Sequence, residues 1–366
     1  MLIKSLTLSN VRNIREARLN FHENLTIITG ANGAGKSSLL EGLTILSSGK
    51  SFRTANIKSV ISDKSNQLTV YCEALDSRGE PHKLGIQRDR QGGFKAKIDG
   101  HAISRLVDLT TKLPVFAIYP GFYEKVSEKR ASRIKVFDWG VFHVEHQFFT
   151  VWSKYQKSLK QRNALLKKKV SAKSSELAFW TDSLINEGRQ LNQMRSAYLT
   201  SIMPKFQSLL KRTSLGESIE LDYYPGHARS LDLNLALDKS FESDIYRGTT
   251  GSGPHRADIR FLSGQKDIFE SASRGQQKLL INTLLIAMIE LFTERSEQPA
   301  LVCIDDLPSE LDVKNQADLI AALCSLNRTQ ILLTSITESS LPEAISGYNR
   351  VMFHVEHGVF QQRNLQ

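Results

Sequence analysis

Residues 25–38 read LTIITGANGAGKSS, and this stretch decides the fold. Leu25 to Thr29 is a continuous apolar run of strand type. Gly30, Ala31, Asn32, Gly33, Ala34, Gly35, Lys36 and Ser37 then fit the P-loop pattern, two glycines five apart followed by Lys and Ser. The glycines let backbone N–H groups turn inward to cradle phosphates. The lysine brings a point charge to the β- and γ-phosphates, and the serine hydroxyl can ligate Mg²⁺. Ser38 to Ser47 reads as the helix whose N-terminus faces the phosphates. A strand, a glycine loop and a helix in that order make a nucleotide-binding α/β protein.

Working outward, residues 2–8 and 19–21 read as strands placing the loop on a sheet, and 68–98 as antiparallel hairpins flanking it. From 113 the texture becomes helical, with a long stretch over 127–212 interrupted near Ser171 to Ser175 and at Pro204. Trp152, Tyr155, Leu159, Leu166 and Val170 share one helical face, and Leu177, Leu184, Leu191 and Tyr198 recur every seven residues, so two helices should pair as an antiparallel arm. Sheet texture returns after 213. Residues 273–292 read as a buried helix with a polar tip, 300–304 and 331–333 as buried parallel strands, and 351–360 as a final hairpin turning at Gly358.

The formal net charge is +10, from 48 basic and 38 acidic side chains. Such a balance favours a polyanionic partner. Between Ser153 and Ser175 stand Lys154, Lys157, Lys160, Arg162, Lys167, Lys168, Lys169 and Lys173 with no acid among them, the pattern of a phosphate-backbone contact on DNA. Three cysteines show no zinc or redox spacing, and the N-terminus shows no signal-peptide pattern. No apolar run approaches 20 residues, so no membrane role is expected, and a reducing cytoplasm is the expected setting. The segment FHVEH occurs twice, at 142–146 and 353–357, too sparse in ligands for a metal site.

Asp305 and Asp306 end an apolar strand, as a P-loop protein needs: one carboxylate for Mg²⁺ and one for the attacking water. Ser273, Arg274, Gly275 and Gln276 open a buried helix and offer free N–H groups and a hydroxyl to a phosphate. With the Ser309 to Asp312 loop, these residues resemble the signature and second acidic motif of ABC-type ATPases, in which two subunits sandwich ATP. The resemblance narrows to the RecF recombination mediator family over nearly the whole chain. It is carried by residues 30–53 with Glu41 and Ser51 to Arg53, by Phe137 to Gly140, Leu159 to Asn163 and Gly253 to Asp258, and by SRGQQKLL and DDLPSELD at 273–280 and 305–312.

That resemblance implies an ABC-type P-loop ATPase head with a mixed sheet, residues 1–112 and 213–366, and an inserted helical arm, residues 113–212. ATP and Mg²⁺ would be held by residues 30–38, with Asp305 on the metal, Asp306 activating water, and Ser273 with Arg274, Gly275 and Gln276 facing a second copy's γ-phosphate. Arg12 is a further nucleotide candidate. The implied activity is a weak, DNA-stimulated ATPase that closes a homodimer on duplex DNA near single-strand gaps, with RecR as partner and RecO and RecA beyond it, at the nucleoid. The alternative is the ATPase subunit of an ABC transporter, against which the basic arm speaks. The sequence departs from the family pattern at Val115 to Pro120, at Pro308 and at Ser335.

Overall fold

The computed structural model describes residues 1–171, 173–215 and 219–363; residue 172 of the expected Ser171 to Ser175 break lies outside them. The chain forms two compact units, Met1–Phe122 with Phe292–Gln366, and Tyr123–Leu291. These do not follow the expected bounds. Residues 113–122 stay with the first unit and 213–291 join the second.

In chain order the first stretch holds β1 (Leu2–Val11), β2 (Ile14–Asn20), β3 (Leu25–Thr29), α1 (Lys36–Ser48), β4 (Gln67–Leu75), β5 (Pro81–Asp89), β6 (Phe94–Ile98), β7 (His101–Ile103), α2 (Leu106–Lys112) and β8 (Val115–Ile118). The middle stretch holds α3 (Phe122–Glu128), α4 (Arg130–Val144), α5 (Phe148–Lys167), α6 (Ser175–Leu210), β9 (Ile219–Tyr224), α7 (Leu233–Arg247), β10 (Asp258–Ser263), β11 (Lys266–Asp267) and α8 (Arg274–Ser296). The last holds β12 (Ala300–Ile304), α9 (Leu307–Glu310), α10 (Val313–Ser325), β13 (Thr329–Ser335), β14 (Arg350–Glu356) and β15 (Val359–Arg363).

The first unit is a mixed α/β head with two six-stranded sheets. One has the order β15-β14-β3-β13-β12-β8, with β14, β3, β13, β12 and β8 parallel and β15 antiparallel at the edge. β3, β12 and β13 are buried at every position, which is why they read as unbroken apolar runs rather than alternating ones. The other sheet is antiparallel, β2-β1-β4-β5-β6-β7. β1 and β2 belong to it and not to the nucleotide sheet: β4, with burial alternating along its length, pairs with β1 from Leu2↔Leu75 to Ser9↔Thr69. α1 packs between the sheets, its Leu39 and Leu43 in one core with Leu6, Leu8, Val70 and Leu84.

The second unit is helical, with a small β11-β10-β9 sheet. α5 and α6 form the expected antiparallel pair. Arg162 Nε meets Thr181 at 3.2 Å and Ser158 meets Glu187 at 3.3 Å, so residue numbers rise on one helix as they fall on the other. Leu177, Leu184, Leu191 and Tyr198 are all buried. Ser174 caps α6 through the Leu177 N–H. The helix does not break at Pro204 but runs through it, with Ile202 and Phe206 fully buried on either side; this packing offsets the roughly 3 kcal/mol that an interior proline costs. Trp152, expected on the packed face of α5, is instead 37% exposed.

Candidate functional site

β3 delivers the chain to the loop at a point of close approach. Gly30 has φ 154°, and a Cβ there would lie 2.4 Å from the Val355 carbonyl oxygen of β14, so only glycine lets the neighbouring strand come in. Lys36, the first residue of α1, donates from Nζ to the Gly30 and Ala31 carbonyls at 2.6 and 3.0 Å. Burial lowers its pKa, while the nearby charges of Asp306 and Asp305 act the other way.

Asp305 directly follows β12, buried at 2% exposure. Its Oδ1 accepts from Ser37 Oγ at 2.8 Å and from Thr334 Oγ1 at 3.0 Å. Burial raises its pKa; the two hydroxyls and the charge of Arg53 pull it back. Asp306 sits in the left-handed region at φ 53° and is held there by its own N–H donating to Thr334 Oγ1 at 2.8 Å. The structure therefore brings Lys36, Ser37, Asp305 and Asp306 together within one unit. A hydroxyl and a buried carboxylate oxygen in contact are a hard-oxygen donor set that suits Mg²⁺, which takes few protein ligands and fills its sphere with water and phosphate oxygens.

Arg12 is placed otherwise than expected. Its guanidinium is committed to Glu41, with Nε and Nη2 each at 2.9 Å, and to the Ser59 carbonyl at 2.7 Å. Glu41 is fully buried and also accepts from Ser51, so Arg12, Glu41 and Ser51 clasp the β1–β2 turn to α1. Its neighbour Asn13 touches the loop instead. Asn13 Nδ2 donates to the Gly33 carbonyl at 3.0 Å and Oδ1 accepts from Ser38 Oγ at 3.1 Å. On the other side Gly358 donates its N–H to the Ala34 carbonyl at 2.7 Å. Gly358 has φ 81°, and a Cβ there would meet the Asn13 carbonyl oxygen at 2.5 Å. Sequence reasoning missed both residues as loop supports. Gly358 was legible only as a turn.

The departures have structural occupants. Gly121, after the Val115 to Pro120 stretch, donates its N–H to Glu310 Oε1 at 3.1 Å. Pro308 lies in the first turn of α9, where a missing N–H costs nothing. Ser335 is buried and bonded to the Thr337 carbonyl at 2.9 Å and to Ser340 at 3.0 Å.

In the second unit the tip of α8 is a capping box. Gln276 N–H donates to Ser273 Oγ at 3.3 Å and Ser273 N–H to Gln276 Oε1 at 2.9 Å. Ser273, Arg274, Gly275 and Gln276 are all exposed. Lys154, Lys157, Lys160, Lys167, Lys168 and Lys169 are exposed as well. Arg162 is not part of that surface. It is 1% exposed and donates to Asp244 at 3.0 Å and to Thr250 at 2.7 Å.

Arg162 belongs instead to a set of polar groups that fix the loop at residues 248–258. Arg195 pairs with Asp138 at 2.8 and 2.7 Å and also donates to the Pro254 carbonyl at 2.9 Å. Arg133 pairs with Asp258 at 2.9 and 2.7 Å. The Tyr155 hydroxyl and His255 Nδ1 are 2.6 Å apart. Burial pushes His255 down to about 4. Among the described residues no three His, Cys, Asp or Glu side chains gather to hold a metal, and no helix is long and apolar enough to cross a membrane.

A P-loop whose serine meets a buried acid just past β12, a parallel strand of the same sheet with β13 between it and β3, beside a flanking antiparallel sheet, defines an ABC-type ATPase head of the SMC kind. The Smc head domain of Pyrococcus furiosus shares the fold at TM-score 0.58, with 15% identity over 100% of this chain and 96% of that one. Residues 2–361 match the model of the RecF/RecN/SMC N terminal domain. The chain belongs to the RecF family. The DNA replication and repair protein RecF of Shewanella denitrificans is 33% identical over 98% of each chain, and that of Pseudoalteromonas translucida 35% identical over 98% of this chain and 99% of its own. A solved recombination mediator protein RecF–ATP of the RecFOR pathway superposes at TM-score 0.85, with 23% identity over 99% and 98% of the two chains.

Proposed function

We propose that this chain is an ATP-gated DNA clamp of recombinational repair. Two copies close on duplex DNA near single-strand gaps when ATP is bound, and slow, DNA-stimulated hydrolysis releases them. The observation that carries the nucleotide half of this reading is the Ser37–Asp305 contact at 2.8 Å beneath the glycine loop. Lys36 exchanges its two loop carbonyls for phosphate oxygens, and the loop N–H groups bind the same anion. Mg²⁺, held by Ser37 and Asp305, supplies charge neutralisation at the phosphates. Asp306 orients the attacking water and accepts its proton. Ser273 and the Gly275 N–H, exposed at the start of α8, serve the γ-phosphate bound by the other copy, with Arg274 and Gln276 beside them. The exposed lysines of α5 and of the turn after it take the duplex backbone. RecR is the direct partner and RecO and the RecA recombinase act beyond it, in the cytoplasm at the nucleoid.

ATP-dependent binding to gapped against intact duplex tests the reading, with Lys36→Met and Ser273→Arg as controls. Both variants should lose the ATP-dependent gain, the first by failing to bind nucleotide and the second by failing to dimerise. A protein that sediments as the same monomer with and without saturating ATP would refute the clamp.

A further inference from the structure

The corner where α4 passes into α5 carries a row of aromatic rings that ends on two, Phe149 and Trp152, that the core does not absorb. Trp139 and His143 lie 4.6 Å apart, Phe142 and His143 4.7 Å, Phe142 and Phe149 6.2 Å, and Phe149 and Trp152 6.3 Å with their planes only 25° from parallel. Phe149 is 36% and Trp152 37% exposed, whereas Phe148 and Tyr155 on the inner face of the same helix are buried. Phe149, Ser153, Lys160 and Lys167 follow at i, i+4, i+11 and i+18, one outward stripe about 27 Å long. α5 has no acidic residue in its 20 positions. Lys157 is engaged, its Nζ 5.8 Å from the Trp180 ring, and Lys154 lies within electrostatic reach of Glu187. The side-chain ammonium groups of Lys160 and Lys167 form no hydrogen bond or ion pair among the described residues.

We propose that this corner is a stacking platform for unpaired bases of single-stranded DNA, Phe149 and Trp152 taking the bases and Lys160 and Lys167 the phosphates of the same strand. The proposal rests on the DNA-binding reading above and assigns a second kind of contact to the arm. Aromatic faces accept any base, and the salt-dependent hold on a strand comes from lysines beside them. A protein partner fits less well, since lysine is depleted at the centre of protein interfaces. In the RecF-family chain the charge beside the rings on α5 is of one sign.

The test titrates the full chain with oligo(dT) and with blunt duplex over the same series of salt concentrations, following affinity and tryptophan fluorescence. The Phe149→Ala/Trp152→Ala double variant should bind oligo(dT) on the order of tenfold to a hundredfold more weakly and duplex unchanged. Trp152→Phe should keep the affinity and lose most of the quenching, which also shows that the site still folds. Lys160→Gln should lower the salt slope for oligo(dT) by about 0.7. Oligo(dT) affinity unchanged in the double variant overturns the platform, whatever protein that surface then binds. Wild-type protein that binds duplex but not oligo(dT) overturns it while leaving the clamp intact. Binding of neither DNA with ATP present overturns both.

Discussion

The P-loop of the first unit and the 248–258 loop of the second are both glycine-bearing loops fixed from several sides, and they are fixed by opposite means. The P-loop is held by main-chain contacts and neutral side chains: Asn13 on Gly33 and Ser38, Gly358 on Ala34, the Val355 strand against Gly30. Its one charge, Lys36, is parked on carbonyls and can be handed to a ligand. The other loop is held by ion pairs, of Arg162, Arg195 and Arg133 with Asp244, Asp138 and Asp258, nearly all of them buried. Those charges are spent on each other. A cradle whose cation makes no ion pair can change state on binding, whereas one locked by paired charges is a fixed part of the frame.

This contrast makes substitutions separate into two kinds. The largest effect should come from Arg195→Met, which leaves Asp138 unpaired in the interior and should cost about 3–5 kcal/mol of stability. The Arg195→Met/Asp138→Leu pair should recover most of it in thermal unfolding. Full cost in the double variant would mean that the Pro254 carbonyl bond, not the ion pair, holds the loop. Next, Lys36→Met should cut ATP turnover by about a hundredfold or more with no loss of thermal stability. A matching drop in stability would show the lysine to be part of the frame after all. Gly358→Ala, strained by about 1–3 kcal/mol at φ 81° and against Asn13, should weaken nucleotide binding about tenfold; equilibrium binding measures it.

The effect that is smallest at neutral pH, where it vanishes, is that of the buried histidines, which act only in acid. His143 and His255 are pushed by burial down to about 3 and about 4. Both folded values lie below the unfolded value near 6.5. As pH falls from about 6.5 to about 4 the unfolded chain therefore takes up protons that the folded chain refuses, and stability drops by up to about 1.4 kcal/mol per pH unit for each histidine. Trp139, Trp152 and Trp180 are the chain's three tryptophans and all lie in the second unit, so their fluorescence follows that unit alone. His255→Gln should flatten the acid limb of its denaturation curve.

The same contrast explains what could be read from the sequence. The P-loop, its strand Leu25–Thr29, the acid pair after β12 and the seven-residue repeat of α6 are local patterns, each legible within a few turns or strands. Asn13 and Gly358 carry no local mark of their partners, because the contacts that define them reach across 20 and several hundred residues. Arg162 was counted with the surface lysines since charge spacing cannot show that Asp244 waits 82 residues on. The boundaries at 123 and 291 escaped for a related reason. β8 is a four-residue strand recognisable only by its pairing with β12, and α8 is apolar on so many sides that its sequence names no single neighbour.

β14 lies beside β3, and the Gly358 turn that follows it rests on the P-loop, so strand neighbours in the sheet are separated by 324 residues of chain. At roughly 5–20 residues per second on the ribosome, the nascent protein carries its glycine motif for between about a quarter of a minute and a minute before the brace emerges. The phosphate cradle is thus among the earliest parts of the molecule to be synthesised and among the last to be completed. A chain stalled or cleaved before β14 keeps the whole motif in sequence and lacks the wall that shapes it.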